Sequence, residues 1–216
     1  QYNEGNRSIA LIDKLSKKSE DRQDDILSSE LYNIVLDRKS EFDIKIYERA
    51  KYYFAKKGLK NDDTSPIKLF ISEYKDSDNL GSAYMALIRF YASKKDTLQE
   101  VETYKNMIDI FLPSNIIPIS GKSSFLNSYA WRMSELELNL EDALLKSIYS
   151  IKIVDSLGVD VASRKPMLLD TKAEILWKMN KIDEALTVIN QAIEMDPESQ
   201  YYQEQKTKFQ NSKKGN

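Results

Sequence analysis

The stretch from Pro166 to Pro197 constrains the fold of this chain most strongly, because it encodes two short amphipathic helices joined by a tight turn. Pro166 suits the first turn of a helix, where a backbone N–H has no intrahelical partner. Asn180 lies where the chain must reverse, and asparagine tolerates the left-handed conformation that ends many helices. Pro197 disfavours the α region for the residue before it. The stretch therefore predicts helices over 166–179 and 182–195.

Small residues in this stretch are spaced for two closely crossing helices. Ala173, Ala185 and Ala192 are separated by 12 and 7 residues, and Pro197 follows 5 residues later. This spacing resembles that of the tetratricopeptide repeat (TPR), a helix–turn–helix unit of about 34 residues. Lys172 departs from the pattern, since the repeat has an apolar residue there. The positions that match are Leu169, Ala173, Leu176, Ala185, Ile189, Ala192 and Pro197.

A second unit of the same kind precedes the first. Ala130 and Ala143 mirror Ala173 and Ala185 at offsets of 43 and 42 residues. Likewise, Leu126 mirrors Leu169, and Ser150 mirrors Ala192. We therefore predict two TPR-like repeats and a C-terminal capping helix over residues 123–210, a degenerate helical extension over 1–112, and a frayed tail over 211–216.

The predicted extension is less regular. Residues 80–112 form another candidate helix pair, but Arg89 and Ile108 stand where the repeat has small residues. Whether this pair is a repeat is therefore open. Few glycines and prolines (6 and 5) argue against a strand-rich chain. The expected fold is all-α: a right-handed α-solenoid of antiparallel helix pairs with ten or eleven helices.

Composition restricts the chemistry available to the chain. It has no cysteine and no histidine, which removes thiolate nucleophiles, the usual general base near neutral pH and the commonest transition-metal ligand. A formal net charge of −2 gives no electrostatic case for a nucleic-acid partner. No apolar run approaches the roughly 20 residues that span a bilayer. We expect no catalysis, no cofactor, no metal and no membrane insertion.

Acidic clusters do not have the pattern of a cation site. The first comprises Glu20, Asp21, Asp24 and Asp25, which lack the glycine turn and regular ligand spacing of a calcium loop. The sequence favours the start of a helix there, because carboxylates stabilise a helix N-terminus. Asp62 and Asp63 receive the same interpretation.

The order of several segments resembles the helical C-terminal region of Bacteroidetes-type thioredoxin-like proteins. The segments are Leu126–Trp131, Leu140–Asp155, Leu168–Leu186 and Tyr201–Gln210, with a weaker likeness at Gln1–Leu15. The resemblance implies an accessory region that follows a thioredoxin-like domain, in a periplasmic or exported rather than cytoplasmic protein. No redox residue carries over, because the chain has no cysteine. Since the chain begins at Gln1 rather than Met, we expect a processed product or an excised fragment.

In TPR proteins the first helix of each pair lines a concave groove, and the resemblance implies which residues line it here. Both tryptophans of the chain fall in this set, and tryptophan is a favoured binding anchor. The alternative is that both pack between helices as core. The set is mixed in sign, so it does not predict a clamp for a terminal carboxylate. The predicted groove residues are Asn127, Trp131, Ser134, Glu135, Met167, Asp170, Glu174, Trp177 and Lys178.

The expected function is therefore non-catalytic binding of a protein or peptide. An alternative is a structural or dimerising appendage that packs on an upstream thioredoxin-like domain, with exposed apolar area in the N-terminal half. A carboxylate-dependent hydrolase using a pair such as Glu135 and Glu137 is disfavoured, because no enclosing cleft or partner carboxylate is encoded.

Overall fold

The computed structural model describes residues 8–158 and 163–214 and is helical throughout, with eleven α-helices and two short 3-10 turns in these ranges. The predicted all-α class and helix number are confirmed for the described residues. The α-helices, numbered in chain order, are α1 Ile9–Asp21, α2 Asp25–Asp37, α3 Ile44–Gly58, α4 Ser65–Glu73, α5 Leu80–Ser93, α6 Thr97–Phe111, α7 Ile119–Leu136, α8 Leu140–Leu157, α9 Lys165–Lys178, α10 Ile182–Met195 and α11 Gln200–Lys214.

The chain divides into two compact units, Gln1–Met107 and Ile108–Asn216. In the first unit, α1, α2 and α3 pack in succession, and α4 and α5 pack on α3. One buried cluster of this unit comprises Ile12, Leu31, Tyr32, Val35, Phe42, Ala50 and Tyr53. The other comprises Ala55, Ile67, Phe70, Ala83, Leu87 and Tyr91.

In the second unit, α7 packs on α8 and α9 packs on α10, while α9 also contacts α7 and α8. The small residues of the repeat pattern are fully buried at these contacts, as expected for backbones that approach closely: Ala130, Ala143, Ser150, Ala173, Ala185 and Ala192. Helix α11 packs on α10 and adds Phe209 to the core. The predicted helix over 182–195 is confirmed as α10.

Two buried serines join α7 to α8. The Ser150 hydroxyl donates to the Ser123 carbonyl over 2.9 Å, and the Ser123 hydroxyl lies 3.1 Å from the Ser150 carbonyl and 2.9 Å from the Ser150 hydroxyl. Both residues are almost fully buried. The hydroxyls therefore satisfy each other in an apolar contact where a larger side chain would separate the helices.

The same turn closes five helix pairs in the described part of the chain. In each turn one residue is left-handed and donates to the carbonyl three residues earlier, while the next N–H bonds five residues back, as in a Schellman motif. The predicted left-handed turn at Asn180 is confirmed, with φ of 60°. The left-handed residues of these five turns are Gln23, Asp62, Lys95, Glu137 and Asn180, and Asn139, with φ of 49°, is a second left-handed residue between α7 and α8.

The last helix extends past the predicted capping segment. Helix α11 continues to Lys214, whereas the expected tail began at residue 211. Residues 215–216 of that tail lie outside the described residues, as do residues 1–7 of the N-terminal segment that resembles thioredoxin-like proteins.

Candidate functional site

The first-repeat part of the predicted groove leaves one tryptophan partly exposed. Trp131 and Glu135 lie one turn apart on α7, and the Trp131 indole N–H donates to Glu135 Oε1 over 3.1 Å. The other oxygen of Glu135 accepts from Arg132 over 3.0 Å. The hydrogen bond to Glu135 thus restricts the rotation of the indole ring, and the Arg132 guanidinium holds the Glu135 carboxylate in place.

Two other predicted residues of α7 face inward. Ser134 is fully buried, and its hydroxyl donates to the Trp131 carbonyl over 2.7 Å. Asn127 is also buried, and its Oδ1 atom has no hydrogen-bond partner among the described residues. Both side chains are buried, so neither can contact a binding partner in this conformation of α7.

On α9, Met167 and Lys178 lie at opposite ends of the helix and reach the surface. Met167 is half-exposed. The Lys178 ammonium lies 2.7 Å from Glu137 Oε1, which ties α9 to the turn between α7 and α8. Glu137, which the hydrolase alternative would use, is therefore engaged in an ion pair.

The remaining three predicted residues of α9 are covered by α11. Asp170 Oδ2 accepts from the Tyr201 hydroxyl over 3.1 Å. Glu174 pairs with the Lys208 ammonium. The chain's own last helix therefore occupies the side of α9 that was predicted to face a partner.

Trp177 is the third of these covered residues. Its indole N–H donates to Ser212 Oγ over 2.9 Å, and its ring centroid lies 5.7 Å from that of Phe209. The Lys208 and Lys178 ammonium groups lie 4.3 and 4.9 Å from its ring centroid, close enough for cation–π attraction. Trp177 packs against the core cluster of the second unit. Its contacts are those of a structural residue.

The contact between α9 and α11 raises the pKa values of two side chains, Asp170 and Tyr201. Burial is the largest influence on Asp170 and raises the pKa of its carboxyl to about 6. The pKa of the Tyr201 phenol is raised to about 12, chiefly by burial and then by the Asp170 charge. Gln205 donates to the Tyr201 hydroxyl over 2.8 Å and holds it in place.

A polar network in the first unit was not foreseen from the sequence. The fully buried Tyr32 on α2 donates to Glu20 on α1 over 2.9 Å and accepts from Arg49 on α3 over 3.2 Å. Arg49 also pairs with Asp13, and Lys56 pairs with Glu20. The network ties three helices together. Its members are far apart in sequence and carry no local motif.

The acidic cluster on the α1–α2 turn has protein partners. Asp24 caps α2 by accepting from the Leu27 N–H over 3.0 Å, as expected for a helix start. Asp25 pairs with Lys60, and Glu20 belongs to the network around Tyr32. Among the described residues, no group of three or more carboxylates has the arrangement of a metal site.

The surface cavities of the first unit include two that combine charged and aromatic side chains. One, of about 310 Å³, is lined by Glu20, Gln23, Asp25, Tyr53, Lys56, Lys57 and Lys60. The other, of about 520 Å³, is lined by Asp37, Lys39, Ser40, Phe42, Ile44 and Tyr47. Both carboxylates of the smaller cavity are paired with Lys56 and Lys60, and Lys57, which donates to the Ser29 hydroxyl, leaves the lining with one net positive charge.

Neither a scan against protein-family models nor a search of curated proteins finds a match to this chain. The likeness to TPR and thioredoxin-like proteins therefore remains a prediction. In the described ranges, every helix is too short or too polar to cross a bilayer.

Proposed function

We propose that this chain is a non-catalytic module that binds a protein or peptide segment through TPR-like helix pairs stacked within each unit. The right-handed, antiparallel arrangement of the pairs is part of the proposal. The five matching turns and the fully buried alanines support a repeat architecture. TPR-like repeats present the first helix of each pair to a partner.

The observation that carries the proposal is the state of Trp131. It is partly exposed, and the bond to Glu135 restricts its ring before any partner arrives. A restrained aromatic ring buries a large area on binding and loses little conformational entropy. Trp131 is therefore the anchor of the proposed site.

Small side chains adjoin this anchor. Ser124 and Ser128 are exposed and precede Trp131 by about two turns and one turn of α7. Each hydroxyl bonds to the carbonyl four residues earlier on its own helix, over 3.3 and 3.0 Å. These short side chains leave room for a partner backbone beside the indole. We call the surface formed by Ser124, Ser128, Trp131, Arg132 and Glu135 the α7 face.

The charges of the α7 face restrict the class of partner. Arg132 and Glu135 form an ion pair, so the five residues of the face carry no net charge, and the Arg164 guanidinium lies 3.5 Å from Ser124 Oγ at one end of the face. We therefore expect the partner to be a peptide segment that packs one apolar or aromatic side chain against Trp131. Around that side chain, the uncharged backbone of the segment contacts the α7 face. Asp170, Glu174 and Trp177 do not contact the partner while α11 covers them.

A second candidate function is the structural or dimerising appendage of an upstream thioredoxin-like domain in an exported protein. It draws support from Ile26 and Leu98 in the first unit, which are 77% and 76% exposed. Analytical ultracentrifugation of the chain distinguishes the two proposals. Self-association that Ile26→Ser and Leu98→Ser abolish together would favour the appendage.

The binding proposal is tested with a random dodecapeptide library displayed on phage and selected on the immobilised chain. Selected peptides are synthesised with a fluorescent label, and Kd is measured by anisotropy. Trp131→Ala is expected to weaken binding about 30-fold, as for a central aromatic anchor. Tyr149→Ala removes an exposed aromatic of α8 and serves as the matched control, with Kd unchanged. Equal loss in both variants, or peptides insensitive to Trp131, would overturn the proposal.

A further inference from the structure

The contact between α9 and α11 holds two buried carboxylates, and among the described residues the Lys208 ammonium is the one that forms an ion pair with either of them. Asp170 and Glu174 lie one turn apart on α9 and are 4% and 7% exposed. Lys208 of α11 pairs with Glu174. In the part of the chain that the structure describes, the hydrogen-bond donor to Asp170 is the neutral Tyr201 hydroxyl, on the Oδ2 atom.

The second oxygen of Asp170 is the unsatisfied atom of this contact. Oδ1 is sealed from solvent and has no hydrogen-bond donor among the described residues. An ionised carboxylate in such a position loses its hydration and gains little in return. Protonation of the carboxyl removes this charge and adds only a hydrogen atom to the contact. The geometry therefore stabilises the neutral form of the Asp170 carboxyl relative to the ionised form while α11 is docked.

The groups around Asp170 act in both directions on its pKa. Burial raises the pKa most, and the nearby charge of Glu174 raises it further, while the Tyr201 hydrogen bond and the Lys208 charge lower it. Tyr202 of α11 also interacts with Asp170 electrostatically. Within the described part of α7, α8 and α10, no titratable side chain is among the groups that shift this pKa.

We propose that Asp170 is a proton-dependent latch: α11 is held on α9 while the Asp170 carboxyl is neutral, and its hold weakens when the carboxyl ionises. The latch does not depend on the proposed binding function, since it concerns only contacts within the chain. Full release of α11, from α10 as well as from α9, uncovers Trp177 and the fully buried Phe209.

The direction of the pH dependence follows from linkage. The carboxyl has a pKa of about 6 when docked and an ordinary value of 3.8 when exposed, so the docked state holds its proton more tightly. Docking is therefore strongest below pH 3.8 and weakens as pH rises through about 6. Between about pH 7.5 and about pH 5 the docking equilibrium is expected to change about tenfold.

The test is hydrogen–deuterium exchange of the intact chain at about pH 5 and about pH 7.5, corrected for intrinsic exchange rates. Peptides of α11 are expected to be about tenfold more protected at the lower pH, while peptides of α3 in the first unit are the internal reference. Asp170→Asn is expected to remove this difference. Glu194→Gln makes the same chemical change at an exposed position of α10 and should retain it.

If Asp170→Asn does not fold, a second variant and a direct titration of the wild-type chain still test the proposal. Tyr201→Phe removes the hydrogen bond that favours the ionised carboxyl, so the midpoint of α11 protection should move to higher pH. Carboxyl-carbon NMR of the wild-type chain should give Asp170 a pKa near 6. A pKa near 3.8, pH-independent α11 protection, or an undiminished difference in Asp170→Asn would overturn the proposal.

Discussion

The indole N–H of Trp177 donates to Ser212 Oγ over 2.9 Å, so this tryptophan is bound by the last helix of its own chain. Trp131, at the other tryptophan position, is instead bound by Glu135 on its own helix. The two tryptophans of one predicted groove thus have different roles. Both rings are partly buried, but Trp177 bonds to α11, whereas Trp131 bonds to a residue of its own helix.

Trp177→Ala is therefore expected to lower the free energy of unfolding by about 2–4 kcal/mol, because it leaves a cavity beside Phe209 and Ser212. Urea denaturation followed by circular dichroism measures the loss. Trp131→Ala is the matched control and should cost less than about 1 kcal/mol. Equal losses in the two variants would mean that both rings are core residues.

Two serines of α8 with the same burial should respond oppositely to the same substitution. Ser150 and Ser147 are both fully buried, but Ser150 bonds to Ser123, and the Ser147 hydroxyl has no partner among the described residues. Ser150→Ala should destabilise the chain by about 1–2 kcal/mol, and Ser147→Ala should be neutral or stabilise it by up to about 1 kcal/mol. Thermal denaturation gives both signs, and a loss at Ser147 as large as that at Ser150 contradicts the hydrogen-bonding account.

The left-handed turn at Lys95 predicts a stabilising glycine. Lys95 has φ of 58°, a conformation that costs a residue with a Cβ atom about 1–2 kcal/mol. Lys95→Gly should raise the free energy of unfolding by about 0.5–1 kcal/mol after the entropy of the unfolded glycine is subtracted. Lys105→Gly, at an exposed position inside α6, should instead lower it by about 1 kcal/mol. Chemical denaturation in which both glycines destabilise equally would contradict the turn assignment.

The network in the first unit depends on the Tyr32 hydroxyl. Tyr32→Phe removes the bond to Glu20 and the acceptor for Arg49, so we expect a loss of about 1–2 kcal/mol. Tyr52→Phe is the control, because the Tyr52 ring packs on Phe70 and lies near the Lys56 ammonium, and no side chain of the network around Tyr32 donates a hydrogen bond to its hydroxyl among the described residues. It should change stability by less than about 0.5 kcal/mol, as measured by urea denaturation. Indistinguishable variants would show that the network adds nothing to stability.

The sequence predicted the close helix crossings and the left-handed turn at Asn180, because each of these features requires a particular type of residue. Ala173 and Ala185 mark close helix crossings, because no larger side chain fits there, and Asn180 marks a left-handed turn. The equivalent left-handed positions Lys95 and Glu137 are not residue types that favour this conformation. Their left-handed conformation is imposed by the packing of the helices that they join, which overrides the preference of the residue.

The repeat pattern also predicted which residues of α9 share one face, but it did not predict that α11 would cover that face. It placed Asp170, Glu174 and Trp177 on one face, and they do share a face. Which helix lies over that face depends on how α11 packs through Phe209, a contact made across many residues. A signal was present in α11 itself, where the helical spacing aligns Tyr201, Gln205, Lys208 and Ser212.

The most direct test of the binding proposal uses the two indole N–H signals that the two tryptophans give in a proton–nitrogen NMR spectrum. Trp131→Phe identifies which signal belongs to which residue. On addition of a peptide selected on the chain, the Trp131 signal should shift, because its N–H lies on the α7 face, and the Trp177 signal should stay in place. A shift of Trp177 with Trp131 unmoved would contradict the account and assign binding to the face that α11 covers.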